Sequence, residues 1–310
     1  MTDSLAKLSF VIPAFREAAN IGRTIASIRE HVPPDDLAEI IVCDHGSDDD
    51  TVAIAREAGA IVEVWHDGTI ARQRNRGAAL ATGDILVFLD ADTSLTPEWA
   101  DALPAMRARL GRDERTVTGS HPQPPPGPNW LHRHWFANLA GDEGARHLGS
   151  AHLVMTRRQF EAIGGFDAEL ETGEDFEICL RAVAHGSHIV IDERLRAIHH
   201  DFPRTLAAFV RREAWHGRGN FASWQMLRSS PVGAASALFL GMHLAVPLAL
   251  VTRPRLALLP LAGIAGLCVA SSAHKFRRAP LASRVVNAGI FYFYYSGRAL
   301  ALVRALRRQS

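Results

Sequence analysis

ARQRNRGAALATGDILVFLDAD, residues 71–92, is the stretch that decides the fold. A helical pattern covers residues 69–81, a Thr-Gly-Asp break follows, and Ile85–Leu89 is an unbroken apolar run that stops at acidic residues. The same alternation precedes it. Residues 8–12 are a short apolar run ending at Pro13, and a helical pattern covers 18–31. A second run covers 39–43, a helix is expected near 49–58, and a third run covers 61–65. Short strands alternating with helices of roughly 10–15 residues mark βαβ units and a parallel sheet. In such sheets ligands collect beyond the carboxyl ends of the strands. Chemistry is therefore expected after Ile12, Cys43 and Leu89.

Acidic residues stand at two of those ends. Cys43-Asp44-His45-Gly46-Ser47-Asp48-Asp49-Asp50-Thr51 follows the second run, and Leu89-Asp90-Ala91-Asp92-Thr93 follows the fourth. Asp90 and Asp92, two residues apart, can leave the sheet edge on one side. Two carboxylates there suit Mg2+ or Mn2+, which takes few protein ligands and completes its shell with phosphate oxygens. They equally suit a turn, or a cap for a helix starting near Pro97. Asp-x-Asp alone does not choose between them.

Composition narrows the classes. The 310 residues carry 34 Lys+Arg against 33 Asp+Glu, a net charge of +1, with 47% hydrophobic and 22% charged residues. That excludes a disordered polyampholyte, a collagen-like repeat and a strongly basic nucleic-acid binder, so no nucleic-acid partner is expected. Cys43, Cys179 and Cys268 lie far apart, which argues against a disulfide scaffold and fits a reducing compartment. MTDSLAKLSF has no basic region leading into an apolar run, so no signal peptide is expected.

The averages hide a split. After Pro231 charge nearly vanishes: residues 232–252 and 256–273 contain no Asp, Glu, Lys or Arg. Each is close to the roughly 20 apolar residues that span a hydrocarbon core. Parted only by Arg253-Pro254-Arg255, they read as a membrane hairpin over about 232–273, or else as a buried helix pair. By the positive-inside rule Lys275, Arg277 and Arg278 lie on the cytoplasmic side. Residues 285–303 are aromatic and apolar but contain Arg298, and Arg284, Arg304, Arg307 and Arg308 flank them. They form a third helix that spans, or one that lies in the headgroup layer with Tyr292, Tyr294 and Tyr295 anchored there. The expected division is a catalytic α/β domain over 1–228 and a membrane-associated helical region over 229–310.

Four motifs occur in order: VIPAFREAANIGRTIASI, IIVCDHGSDDDT, ARQRNRGAALATGDILVFLDAD and ETGEDFEICLRA. Together they make residues 8–218 resemble the inverting family 2 glycosyltransferases of GT-A fold. The resemblance implies a Rossmann-like, mostly parallel sheet flanked by helices, here followed by C-terminal hydrophobic helices. It implies that Pro13, Ala14, Phe15 and Glu17, with Asp44 and Gly46, hold the nucleoside of a UDP- or GDP-sugar. Asp90 would hold ribose, Asp90 and Asp92 would bind the divalent ion on the diphosphate, and in the Glu174-Asp175 pair Asp175 would be the general base. Two departures stand out. His45 replaces the second Asp of the usual Asp-Asp-Gly-Ser, and no Gln-x-x-Arg-Trp is present. The nearest stretch, residues 211–219, is a basic helix that meets phosphates or lipid headgroups, or simply presents a solvated face.

Other residues are placed by spacing. Arg72 and Arg76 share one helical face and are expected on the phosphates, with Arg74 facing solvent. Glu174 is expected to orient the acceptor. His199-His200-Asp201 follows a strand-like run, and His200 is expected to join the metal site. His152 falls where the family places its acceptor-side strand, though a satisfied core histidine is the commoner role. Trp130 and Trp135 stack on a sugar or pack a helix. The function expected is metal-dependent transfer from a nucleotide sugar to a lipid-linked or polysaccharide acceptor, at a cell (inner) membrane with the catalytic domain in the cytoplasm. The alternatives are a non-catalytic membrane scaffold of the same fold, or a sugar-nucleotide pyrophosphorylase. The latter wants a glycine-rich phosphate loop, and PAFREAAN is not one.

Overall fold

A computed structural model describes residues 6–138, 147–220 and 230–309. The chain forms two compact units, one of Met1–Pro126 with Gly141–Asp201 and one of Gly127–Ala140 with Phe202–Ser310.

The first unit is built on a seven-stranded sheet. Its strands are β1 (Leu8–Ala14), β2 (Leu37–Asp44), β3 (Ile61–Val64), β4 (Ile85–Leu89), β6 (Thr116–Gly119), β7 (His152–Thr156) and β8 (His188–Ile191), in the order β3-β2-β1-β4-β7-β6-β8. Pairing is parallel from β3 through β4 and again between β6 and β8, and β7 runs antiparallel to both its neighbours. The mostly parallel α/β sheet expected from the apolar runs is thus present. Every residue of β1 and β4 is buried, as a strand covered on both faces requires.

Alternate residues feed two cores. Phe10, Ile12, Val87 and Leu89 pack with α1 (Ile21–His31) and α4 (Pro97–Arg112) through Ile21, Ile25, Trp99 and Leu103. Val11, Ile41, Leu86 and Phe88 face α3 (Ile70–Leu80) and the residues Phe160, Phe166 and Ile178. Gly77 is needed on α3, because a Cβ there would lie 2.4 Å from Val11 Cγ1. Short helices α2 (Thr51–Glu57) and α6 (Arg157–Ala162) fill connections, and α7 is Glu174–Ala184. A separate antiparallel ribbon pairs β5 (Thr93–Leu95) with β9 (Ala197–His199), in the register Thr93↔His199.

The second unit is helical: α5 (Trp130–His134), α8 (Leu206–Asn220), α9 (Pro231–Thr252), α10 (Leu258–Lys275) and α11 (Leu281–Gln309). Ser230 caps α9, its hydroxyl accepting from Gly233 N at 3.0 Å. Pro231–Thr252 and Pro254–Lys275 are long and apolar enough to cross a membrane, and only 11% and 22% of these stretches is buried in the structure. Burial that shallow is compatible with a membrane segment. Trp135 packs a helix, its ring within 5.2 Å of Phe209, Phe276 and Phe291. Tyr294 and Tyr295 are buried in the same aromatic core, so of the three tyrosines expected in headgroups only Tyr292 is exposed. Arg298 is likewise internal. Its Nε and Nη2 donate to Glu213 Oε2 at 3.0 and 2.8 Å.

Candidate active site

The apolar strand β4 ends at Leu89, and the chain turns through Asp90, Ala91 and Asp92 into β5. Thr24 of α1 anchors that turn, its Oγ1 donating to Ala91 O at 2.7 Å. Because Thr93 is opposite His199, the ribbon sets an imidazole beside the turn, with His199 Nδ1 3.2 Å from Asp92 Oδ2. One ligand atom each from Asp90, Asp92 and His199 lies within 4.8 Å of the others. His200 is turned elsewhere: its Nε2 is 2.9 Å from Ser94 Oγ, and its amide donates to Asp92 O.

Negative charge is in excess here. Burial pushes the Asp92 carboxyl up to about 8, and the charges of Asp90, Glu17 and Asp201 add to it. Glu17 is raised too, by burial first and then by Asp201, Asp90 and Asp49, against a hydrogen bond from Asn20. Two carboxylates and an imidazole, crowded with uncompensated anions, are a donor set that fits a divalent cation.

Arg74 corrects the helical-face expectation. It is 1% exposed rather than in water, on the stripe of α3 that also buries Ala71 and Ala78. Its Nη2 donates to Asp90 Oδ1 and its Nη1 to Glu174 Oε1, both at 2.7 Å. A guanidinium can be turned against the sheet because it carries its counter-ions with it. Arg72 and Arg76 lie on the exposed side of α3. Arg72 pairs with Glu169, and Arg76 bonds Glu63 and covers the Trp65 ring at 4.5 Å. The i, i+3, i+7 spacing of Ala71, Arg74 and Ala78 was the sequence signal for Arg74.

Asp175 stands in the first turn of α7, after Gly173 in the left-handed conformation (φ 83°). Its Oδ1 accepts from Phe176 N at 2.7 Å. Burial pushes its carboxyl up to about 7, with help from the Glu174 charge and against the Phe176 amide and Arg74. Glu174 is buried and bonded, accepting from Arg74 and from Ser150 Oγ at 3.1 Å.

At the ends of β1 and β2, Pro13 and Ala14 are buried and Phe15 is 47% exposed. His45 sets its ring edge-on to Phe15 at 5.7 Å. Asp44 is wholly buried and closes a turn, accepting from Ser47 N and Oγ at 2.7 and 2.6 Å. Gly46 has φ 75°, and a Cβ there would strike the His66 ring at 2.2 Å. Arg16 takes φ 56° and makes a forked pair with Asp48.

Residues 9–163 match the profile of the family described as Glycosyl transferase family 2. The chain belongs to that family. Among its relatives, the glycosyltransferase AglE of Haloferax volcanii is 25% identical over 240 residues, covering 74% of this chain and 78% of the relative. The pre-mycofactocin glycosyltransferase of Mycobacterium tuberculosis is 26% identical over 235 residues, covering 68% of this chain and 46% of the relative, so the chain spans just under half that protein's length. A mannosyltransferase from Pyrobaculum calidifontis, solved with GDP-Man and Mn2+, shares the fold over 98% of this chain and 88% of its own at TM-score 0.61 and 19% identity. GalNAc-T7, solved with UDP, GalNAc and Mn2+, does so over 71% and 52% at TM-score 0.51 and 18% identity. This family 2 glycosyltransferase therefore has the GT-A fold, followed by two apolar helices. A pyrophosphorylase is set aside. Within that fold, the cluster of Asp90, Asp92 and His199 can hold a cation at the sheet edge where β1, β2 and β4 end, and Asp175 offers a carboxylate of raised basicity.

Proposed function

We propose that this family 2 glycosyltransferase moves a sugar, with inversion and with a divalent ion, from a UDP- or GDP-sugar to a hydroxyl on a lipid-linked or glycan acceptor. The observation that carries the reading is the convergence of Asp90, Asp92 and His199 amid the surplus charge of Glu17 and Asp201. Those three residues would hold Mn2+ or Mg2+, and the imidazole nitrogen favours the transition ion. When bound, the ion neutralises charge on the departing diphosphate, worth several kcal/mol in the transition state.

The chain's own residues do the rest. Pro13, Ala14, Phe15, Glu17, Asp44 and Gly46 shape the nucleoside end, Phe15 offering an exposed ring and Asp44 holding the turn beside it. Asp175 takes the proton of the acceptor hydroxyl as the new bond forms, a role suited by a carboxyl titrating near 7. Glu174 fixes Arg74, and Arg74 holds Asp90, so the base and the ion-binding turn share one buried link. Residues 1–228 form the catalytic part. Residues 229–310 attach it to a membrane, with Lys275, Arg277 and Arg278 toward anionic headgroups and the catalytic part in the cytoplasm. The exposed apolar faces of α9 and α10 support that attachment.

The test is a melting-temperature screen of the full chain in detergent against UDP- and GDP-sugars, with Mn2+, Mg2+ or EDTA, followed by transfer assays on the sugar that binds. Ligand binding to the folded state raises the midpoint. A rise that needs both sugar nucleotide and divalent ion is expected. Full transfer in EDTA would overturn the metal-dependent mechanism.

A further inference from the structure

His152 is the first residue of β7, fully buried, and takes no part in the chemistry above. Its two ring nitrogens are both engaged. Trp99 Nε1 lies 3.0 Å from Nε2, and Ser120 Oγ lies 2.9 Å from Nδ1. An indole nitrogen can only donate, so Nε2 accepts and the ring proton sits on Nδ1. Nδ1 then donates to Ser120 Oγ, whose own proton goes to Leu195 O at 2.6 Å. The chain of donors runs one way from Trp99 to Leu195 with no orphan. Burial holds the imidazole down to about 3, so it stays neutral.

The four groups come from four segments, three of which adjoin the ion-binding residues in sequence or in strand pairing. His152 stands opposite Leu89, the last residue before Asp90, and Asp90 N donates to Ala151 O. Trp99 lies in the first turn of α4, which follows β5 and hence Asp92. Ser120 follows β6. Leu195 leads into β9, the strand that ends at His199. A shift of the ribbon against the sheet would separate His199 from Asp90, and this imidazole is tied to both sides.

We infer that His152 is a positioning residue, which through Trp99, Ser120 and the Leu195 carbonyl holds the β5–β9 ribbon so that His199 meets Asp90 and Asp92. The inference rests on the metal reading of that cluster. Groups behind metal ligands typically set affinity by about 10–100-fold. The test is Mn2+ affinity, by titration calorimetry on the full chain in detergent, for wild type, His152→Leu, His152→Gln and Trp99→Phe, with Asp92→Asn as control and a melting curve for each. His152→Leu is expected to weaken Mn2+ binding by about 10-fold or more while still melting cooperatively. His152→Gln, which offers an amide oxygen and NH2 to the same partners, is expected to regain most of it. Should His152→Leu fail to fold, Trp99→Phe decides, since it removes one donor and keeps a ring. Wild-type affinity in a folded His152→Leu, or failing that in Trp99→Phe, would overturn the inference alone. A wild type that binds no Mn2+, or an Asp92→Asn that binds it equally, would overturn the metal reading and this inference with it.

Discussion

Replacing Asp175 with Asn tests the proposed base through stability as well as rate. The carboxyl is pushed from 3.8 to about 7 in the folded protein, first by burial and then by the Glu174 charge. Between those values the folded chain keeps a proton that the unfolded chain releases, so stability falls as pH rises through this window. Above about pH 7 the whole cost is present, on the order of 4 kcal/mol. Asparagine removes that ionisation and its oxygen can still accept from Phe176 N, the bond that now measures 2.7 Å.

Asp175→Asn is therefore expected to be more stable than wild type at pH 8 and nearly unchanged at pH 4. At about 2–4 °C per kcal/mol, the rise in melting temperature at pH 8 is on the order of 10 °C. In the same variant kcat is expected to fall by about 10²–10⁴, with sugar-nucleotide affinity kept. The assay is a pair of melting curves at the two pH values beside steady-state kinetics. In wild type, activity should rise with pH along a limb centred near 7. A variant destabilised at pH 8, or stabilised equally at both pH values, would refute the reasoning. So would a loss confined to donor affinity.

Three further outcomes are expected. Arg74→Met leaves Glu174 buried without its cation and should cost about 3–5 kcal/mol. Thermal denaturation checks this, and adding Glu174→Gln should recover part of the loss. Asp92→Asn should abolish the Mn2+-dependent rise in melting temperature and collapse transfer, whereas an unaffected variant would remove Asp92 from the ion site. The full chain should sediment with membranes and resist carbonate extraction. Leu244→Glu with Leu248→Glu, on exposed positions of α9, should release it, because a charge near the centre of a spanning helix costs about 2.5–3.5 kcal/mol.

Strands β1 to β4 were legible because they are short, largely apolar runs between helical patterns, whereas β6, Thr116-Val117-Thr118-Gly119, is half polar and carries no such signal. The β5–β9 ribbon was not legible either. Thr93-Ser94-Leu95 is short and mostly polar, and nothing in its composition distinguishes it from a turn. That gap governs the histidine pair. His199 closes β9 with its Nδ1 on Asp92 Oδ2, whereas His200 lies just beyond the strand with its ring on Ser94 Oγ, a division of roles that only the folded ribbon reveals. Arg74 was hidden for another reason. A charge on a helix is ordinarily solvated, and the two carboxylates that permit its burial come from residues 16 and 100 positions away. Asp175 was singled out through the resemblance of ETGEDFEICLRA to the family motif, and the structure adds that it lies in the first turn of α7.

The buried acids of the two units are handled differently. In the helical unit Glu213 is as buried as Asp92. Burial acts to raise it, yet the charges of Arg298, His216 and Arg212 hold it below the usual carboxylate range. That is an acid neutralised by its own protein. In the α/β unit Asp92, Glu17 and Asp175 are all raised, by burial and by one another's neighbours, and Arg74 is the buried cation set among them. A fold that neutralises Glu213 internally has no structural need to leave three other acids short of positive charge. Such sites depress stability and persist where function requires them. Under the function proposed above, the missing charge would be that of a divalent ion for Asp92 and Glu17, and for Asp175 a proton taken from an acceptor hydroxyl.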